Sequence, residues 1–177
     1  MRAITITATA ASLGLALIGG AALAQSSATA TAGASATAAP APPAMNVFAT
    51  SPEVQALIAN ARKMHKDEPN LSQRILTLAP YAANLEYRTA TAPATVHEKD
   101  IELFYVIEGA ATVVTGGKLV DEKRTNDANL AGTGITGGQS RPIAKGDIFI
   151  VPQNTPHQIK DPQGGPVIVM TFHAPRG

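Results

Sequence analysis

The sequence predicts an all-β domain with one helix in front of it, and three observations predict that class. First, six short segments rich in β-branched and aromatic residues follow one another from residue 74 onward. They are separated by Gly, Pro and Asn-Asp clusters, and no helical period returns among them. Second, a single stretch before them, from residue 51 to about 66, carries apolar residues at helical spacing. Third, about 130 residues, 47–177, remain once the compositionally odd beginning is set aside, enough for one domain with its own core. Many short strands with turns at close spacing make a sandwich or a barrel.

The beginning of the chain reads as an export signal. Arg2 gives a short positive start, and an apolar run dense in Ala, Leu and Ile extends through Ile18. Ala22-Leu23-Ala24 is a small-x-small cleavage signature before Gln25. Residues 1–24 are therefore expected to be removed as a signal peptide, leaving the protein periplasmic or secreted. The apolar run is short and broken by Thr, Ser and Gly, which disfavours the competing reading of an uncleaved membrane anchor. No cysteine occurs, so neither a lipid-linked anchor nor a disulfide is available. Of 14 basic and 13 acidic residues, the leader holds one Arg and no acid, so the mature chain is formally neutral. A neutral domain has no electrostatic footprint for a polyanion, which excludes nucleic acid as a partner class. No further long apolar run follows, so no membrane span is expected after cleavage.

Residues 25–46 are almost wholly Ala, Ser, Thr and Pro, with no large apolar side chain before Met45. Such a segment cannot offset the entropy of ordering, and Pro40, Pro42 and Pro43 oppose a helix. It reads as a flexible tether. The helix after it has Ser51 as its cap, Pro52 at its first turn and Glu53 at its positive end. Val54, Leu57, Ile58 and Ala61 form the apolar stripe; Arg62, Lys63 and Lys66 occupy the other side and the end. It should stop near Lys66 and pack on the barrel wall or at a dimer contact. The strands are expected at 74–78, 83–87, 103–107, 111–114, 148–151 and 167–172. Residues 116–141 hold six glycines, mixed charge and few large apolar residues. They read as a long hairpin or excursion: a lid, a dimerisation arm or a solvated loop.

Two separated segments carry the chemistry. Thr95 and His97 are two apart on a strand and share a face. The turn Glu98-Lys99-Asp100 brings the chain back, and Glu102 opens the next strand beside His97. His157 arrives from a distant segment after Pro152 and the turn at Asn154-Thr155-Pro156. Two imidazoles and a carboxylate converging inside a barrel make a two-His-one-carboxylate site for a divalent first-row metal. Such a site keeps positions open for water or substrate. Taken singly, His97 reads as a hydrogen-bonded core histidine and Glu102 as a solvent-facing strand residue; their joint placement reverses this. His173, at the end of the last strand, is a candidate fourth ligand or pocket base. His65, on the helix, is expected at the surface. If Glu102 points inward, so do Phe104 and Val106, while Tyr105 packs on the other side. Glu98 and Glu108 are expected as solvated turn residues. Arg141 is a candidate for meeting an anionic substrate, against a plain surface role.

The segments Thr95 to Gly109 and Gly146 to His157 resemble the paired motifs of the cupin superfamily, G-x5-H-x-H-x(3,4)-E-x6-G and G-x5-P-x-G-x2-H-x3-N. The spacings from Glu102 to Gly109 and from Gly146 through Pro152 to His157 hold unchanged. Thr95 stands for the first motif His, Asn154 for the Gly and Asp161 for the final Asn. Asn tolerates the left-handed conformation a turn requires there. The Thr leaves one coordination position to water, substrate or His173. The resemblance covers about Tyr81 to His173 and implies a single jelly-roll barrel with one N-terminal packing helix. It implies a mononuclear divalent metal ion (Fe, Mn, Zn or Ni) on His97, Glu102 and His157, with Thr95, Phe104 and His173 in the pocket. The implied ligand is a small organic molecule and the implied assembly a homodimer. The implied activity is of oxygenase type, with Fe(II), or of lyase or isomerase type, with His173 or Glu98 as base. The alternatives are a non-catalytic binder or sensor and a barrel with a vestigial site.

Overall fold

The computed structural model describes residues 45–176. The expected leader and nearly all of the expected tether lie outside the described residues. One helix, α1 (Ser51–Met64), precedes eleven strands. Its cap is Thr50, one residue earlier than the sequence suggests. The Thr50 hydroxyl accepts from the Glu53 amide while the Glu53 carboxylate accepts from the Thr50 amide, a reciprocal capping box that Ser51 cannot form from inside the first turn. The helix ends at Met64, two residues short of the expected stop, with His65 as its C-cap.

The strands are β1 (Asn70–Leu78), β2 (Tyr81–Arg88), β3 (Ala94–His97), β4 (Asp100–Thr115), β5 (Lys118–Val120), β6 (Lys123–Asn126), β7 (Asn129–Gly132), β8 (Gly134–Thr136), β9 (Gln139–Ala144), β10 (Ile148–Val151) and β11 (His157–Pro175). The expected strands 103–107 and 111–114 are one strand, β4, and the last extends back to His157. The stretch 116–141 is not a loop: it folds into β5 to β8, of which β6 and β7 join the main sheet and β5 pairs with β8. Its strands are too short, and too rich in Gly and charge, to be recognised by composition.

Nine strands form one curled antiparallel sheet built on β4 and β11. The second half of β11 pairs with β2 on one side and with the first half of β4 on the other. Its first half pairs with the second half of β4, and His157 opposes Thr95 of β3. The two strands bend together, so each belongs to both walls of the barrel. On β4 the bend falls at Gly109, at φ +81°, where an added Cβ would lie 2.4 Å from the Pro166 carbonyl oxygen. Only glycine fits such a combination.

Alternation then sorts the side chains. Phe104 and Val106 of β4, Val151 of β10, and Ile159, Val167 and Val169 of β11 fill the barrel interior with Ala111, Val113 and Ile143. Ile168 of β11 and Ala83, Leu85 and Tyr87 of β2 point outward, where Ile58 and Ala61 of α1 cover them together with Ile75. Full burial of Ile58 contributes roughly 2 kcal/mol and holds the helix on the outer wall. Tyr105 faces outward, as alternation predicts, and is 40% exposed. His65 departs from expectation: it is half-buried, with Nε2 2.7 Å from the Glu68 carbonyl and 2.9 Å from the Thr89 hydroxyl. Because both long strands bend at one place, Gly109→Ala is expected to lower unfolding free energy by at least ~2 kcal/mol in denaturant titration, and a neutral result would mean that the bend relaxes without cost.

Candidate metal centre

Three segments bring three imidazoles to one carboxylate inside the barrel mouth. β3 ends on His97, β4 begins with Asp100 and turns Glu102 inward, and β11 supplies His157 at its first residue and His173 near its last. The register places His173 opposite Glu102 on β4, and Val151 of β10 opposes Glu102 from the other side. The turn before His157 is tied directly to the first segment. Asn154, at φ +61°, donates its amide to the His97 carbonyl at 2.9 Å, and the Gln153 side-chain amide donates to the Glu98 carbonyl. The left-handed turn suggested by Asn154 is thus present, and it couples the two segments.

Glu102 is the centre of the cluster and is 3% exposed. Its Oε2 lies 3.0 Å from His157 Nε2 and 3.2 Å from His97 Nε2, and its Oε1 lies 3.2 Å from His173 Nε2. His97, Glu102 and His173 offer ligand atoms that all lie within 4.8 Å of one another. His157 adjoins this trio through Glu102, on the Thr95 side. His173, a pocket candidate from sequence, therefore sits as close to the carboxylate as His97 does, and Thr95 does not replace it. The Thr95 hydroxyl is 3.0 Å from His157 Nε2 and borders the cluster. Phe104, 1% exposed, lies beneath the site: its ring stacks on Phe149 at 4.7 Å and meets His157 edge-on at 5.9 Å.

The far nitrogens show what these imidazoles are prepared for. His97 Nδ1 donates to the Asn129 side-chain carbonyl at 2.6 Å, and His157 Nδ1 donates to the Thr155 carbonyl at 3.2 Å. With the proton on Nδ1, each Nε2 presents a lone pair. Both lone pairs face Glu102 Oε2, a buried oxygen with no hydrogen-bond partner among the described residues. A cation between that oxygen and the two lone pairs would satisfy all three, and backing hydrogen bonds on the far ring nitrogen are the usual support of metal-binding histidines. The donor set of imidazoles and one carboxylate suits a divalent first-row ion. His173 Nδ1 lies 3.9 Å from the Asp100 carboxylate, near it but beyond hydrogen-bond distance.

In the metal-free protein, protons fill the same need. Burial pushes the Glu102 carboxyl up, but the imidazoles of His157, His173 and His97 outweigh it and hold the group far below the usual carboxylate range. Burial pulls His97 down, but Glu102 and Asn129 outweigh it and raise the imidazole above its usual value.

Beyond the cluster the barrel mouth opens into a cavity of about 340 Å³. Glu86 and Arg88 of β2, Asn70 of β1 and Gln158 of β11 line it along with Thr95 and the cluster. Sequence reasoning missed Glu86 and Arg88. On β2 they alternate with Leu85 and Tyr87, and an apolar-in reading places them outside. The helix reverses this by covering the apolar face. Asn129 was missed because it lies in the stretch read as a loop. Three other expectations are corrected. Arg141 is exposed on β9 and lines a different surface depression, so it does not meet this cavity. Glu98 is bound by Arg124 at 2.6 Å and points away from the cavity, which removes it as a base. Glu108 is not merely solvated: it pairs with Arg62 of α1 at 2.5 Å.

The two shifts act oppositely on stability. Glu102, depressed, contributes stability present above the ordinary carboxylate range, near 4.5, and lost as pH falls through its folded value. His97, raised, contributes stability fully present below the ordinary imidazole range, near 6.5, and lost as pH rises through its folded value. Metal-free protein should therefore be most stable in mildly acidic solution. A bound divalent ion competes with those protons, so saturating zinc should move the pH of highest melting temperature upward. Identical pH profiles with and without zinc would contradict the site.

No curated protein matches the chain. Among solved structures, the Schizosaccharomyces pombe Cnp3 cupin domain is similar at 16% identity and TM-score 0.47, covering 65% of this chain and 71% of that one. BH2720 from Bacillus halodurans is similar at 13% identity and TM-score 0.49, covering 75% and 83%. The Lactobacillus farciminis oxalate decarboxylase formate complex is similar at 16% identity and TM-score 0.45, covering 62% of this chain and 30% of that one. Likeness at this level carries no activity with it. The sequence model of the family described as Cupin matches residues 34–174, and with most of its length matched, the chain belongs to the cupin family.

Proposed function

We propose that the protein is an exported mononuclear-metal cupin that acts as a metal-dependent enzyme on a small organic molecule. The observation that carries this reading is the buried Glu102 carboxylate with three imidazole Nε2 atoms at 3.0 to 3.2 Å. His97, Glu102, His157 and His173 are the proposed ligands. A divalent ion held there supplies Lewis-acid polarisation of a substrate oxygen, or, if it is iron, dioxygen chemistry. The chain's own contributions are narrower. Asn129 and the Thr155 carbonyl fix two ring tautomers, Phe104 and Val151 close the floor against water, and the Thr95 hydroxyl offers a donor beside His157. A polar cavity opening on the cluster favours an enzyme or a ligand binder over a vestigial barrel. A non-catalytic small-ligand binder is the second reading, favoured by the lack of an uncommitted acid or base in the lining. Glu86 is paired with Arg88, and the cluster residues are committed to the ion.

Elemental analysis of purified protein tests the centre. About one equivalent of metal per chain is expected in wild type, and His97→Ala should lose most of it while strand content stays unchanged by circular dichroism. A metal-free wild type after exposure to Fe, Mn, Zn and Ni would sink the reading. Turnover in a substrate screen with and without dioxygen then separates oxygenase from lyase or isomerase, and binding without turnover selects the binder.

The export reading is independent of the barrel. Arg2, the apolar run and Ala22-Leu23-Ala24 support it, and no helix among the described residues is long and apolar enough to cross a membrane. Intact-mass spectrometry of protein from the periplasm or medium should find a chain starting at Gln25. A full-length chain recovered with the cytoplasm would remove the localisation.

A further inference from the structure

The inner wall of β2 carries two charges that have no part in the metal cluster. Glu86 is 8% exposed, and the Arg88 side chain is 12% exposed. Arg88 donates from Nε at 2.8 Å and from Nη2 at 2.5 Å to the same Glu86 oxygen, Oε2. One edge of the guanidinium is thereby held by a single oxygen. Its outer edge, Nη1 with the second hydrogen of Nη2, has no side-chain partner among the described residues. Both residues line the cavity that His97, Glu102, His157 and His173 also line. Asn70 lines it too, and its buried Oδ1 has no hydrogen-bond partner among the described residues.

A purely structural ion pair is a weak use of such a wall. Burying two charges costs as much as their attraction returns unless the remaining donors are satisfied, and a well-packed apolar pair would serve stability as well. A planar guanidinium with a free two-donor edge facing a cavity matches a carboxylate in bidentate geometry. We propose that the cavity takes a small organic acid whose carboxylate docks on the outer edge of Arg88. This rests on the reading of the cavity as the pocket of a metal centre and names its substrate class. Glu86 orients the fork and competes for its charge. A cavity of about 340 Å³ lies at the small end of ligand pockets, which limits the acid to a few carbons beyond its carboxylate.

Calorimetric titration of zinc-loaded protein tests this with malonate and succinate against malonamide, succinamide and inorganic phosphate. At least one acid is expected to bind ~10-fold or more tightly than its diamide and than phosphate, as a lost charge-assisted contact implies. Glu86→Gln should tighten that acid several-fold by releasing Arg88 from its competing anion, an effect that a merely structural pair would not give. Arg88→Met alone strands a buried Glu86 and risks unfolding, so the removal is made as Arg88→Met with Glu86→Gln. That double variant should melt near wild type and bind acid and diamide alike. The proposal is overturned if no acid outbinds its diamide, if phosphate outbinds both acids, or if the double variant keeps the preference. Zinc uptake is measured separately on each protein, and the titrations are repeated without zinc. Wild type that takes no zinc, yet shows the acid preference and loses it in the double variant, refutes the metal reading and leaves the Arg88 subsite standing.

Discussion

Everything in this barrel depends on β4 and β11 pairing along most of their length. The two strands are the longest in the domain, and each crosses from one wall to the other at a shared bend. The β4–β11 pairing places His173 opposite Glu102, with register shifts between its two halves. β4 also pairs with β10, which sets Phe149 against Phe104 and Val151 against Glu102, and the start of β11 meets β3, which sets His157 beside Thr95. A slip of one residue would turn every one of these side chains outward. The site is therefore a by-product of the same hydrogen-bond ladder that makes the fold, and it needs no flexible loop to assemble.

The centre carries an electrostatic tension that the fold sustains. A carboxylate removed from water is expensive, and a buried one survives only with partners. Glu102 has three, but two of them present lone pairs once Asn129 and the Thr155 carbonyl have taken their ring protons. The pocket is thus arranged for a positive charge that the chain itself supplies only by protonation. A cation held there would contribute to folding, since no equivalent cluster exists in an unfolded chain.

The main lines were legible in the sequence because they depend on local rules. The helix, its apolar stripe and the outward Tyr105 followed from period alone. The approach of His97 and His157 to Glu102 followed from two spacings that a single turn each must preserve, although the group with mutual ligand spacing takes His173 in place of His157. What could not be read depends on distant partners. Glu86 and Arg88 alternate with Leu85 and Tyr87, and nothing on β2 says which face is inside. The choice belongs to α1, which covers the apolar face from without. His173 was recognised as a candidate but could not be placed, because its position depends on the cross-strand register with Glu102. The strands β5 to β8 escaped notice because pairing holds them, and their composition does not favour it.

The hydrogen bond from His97 to Asn129 changes the meaning of the most surface-like part of the chain. Surface stretches rich in glycine and mixed charge, as 116–141 is by composition, are where insertions and deletions ordinarily accumulate without consequence. Here β7 is paired residue by residue with β3, and Asn129 lies opposite His97. An insertion or deletion that shifts β7 by one position brings Ala128 or Leu130 to that place and removes the carbonyl that holds the ring proton. Length variation between the two halves of the barrel would thus reach the ring of His97, even with His97 itself unchanged.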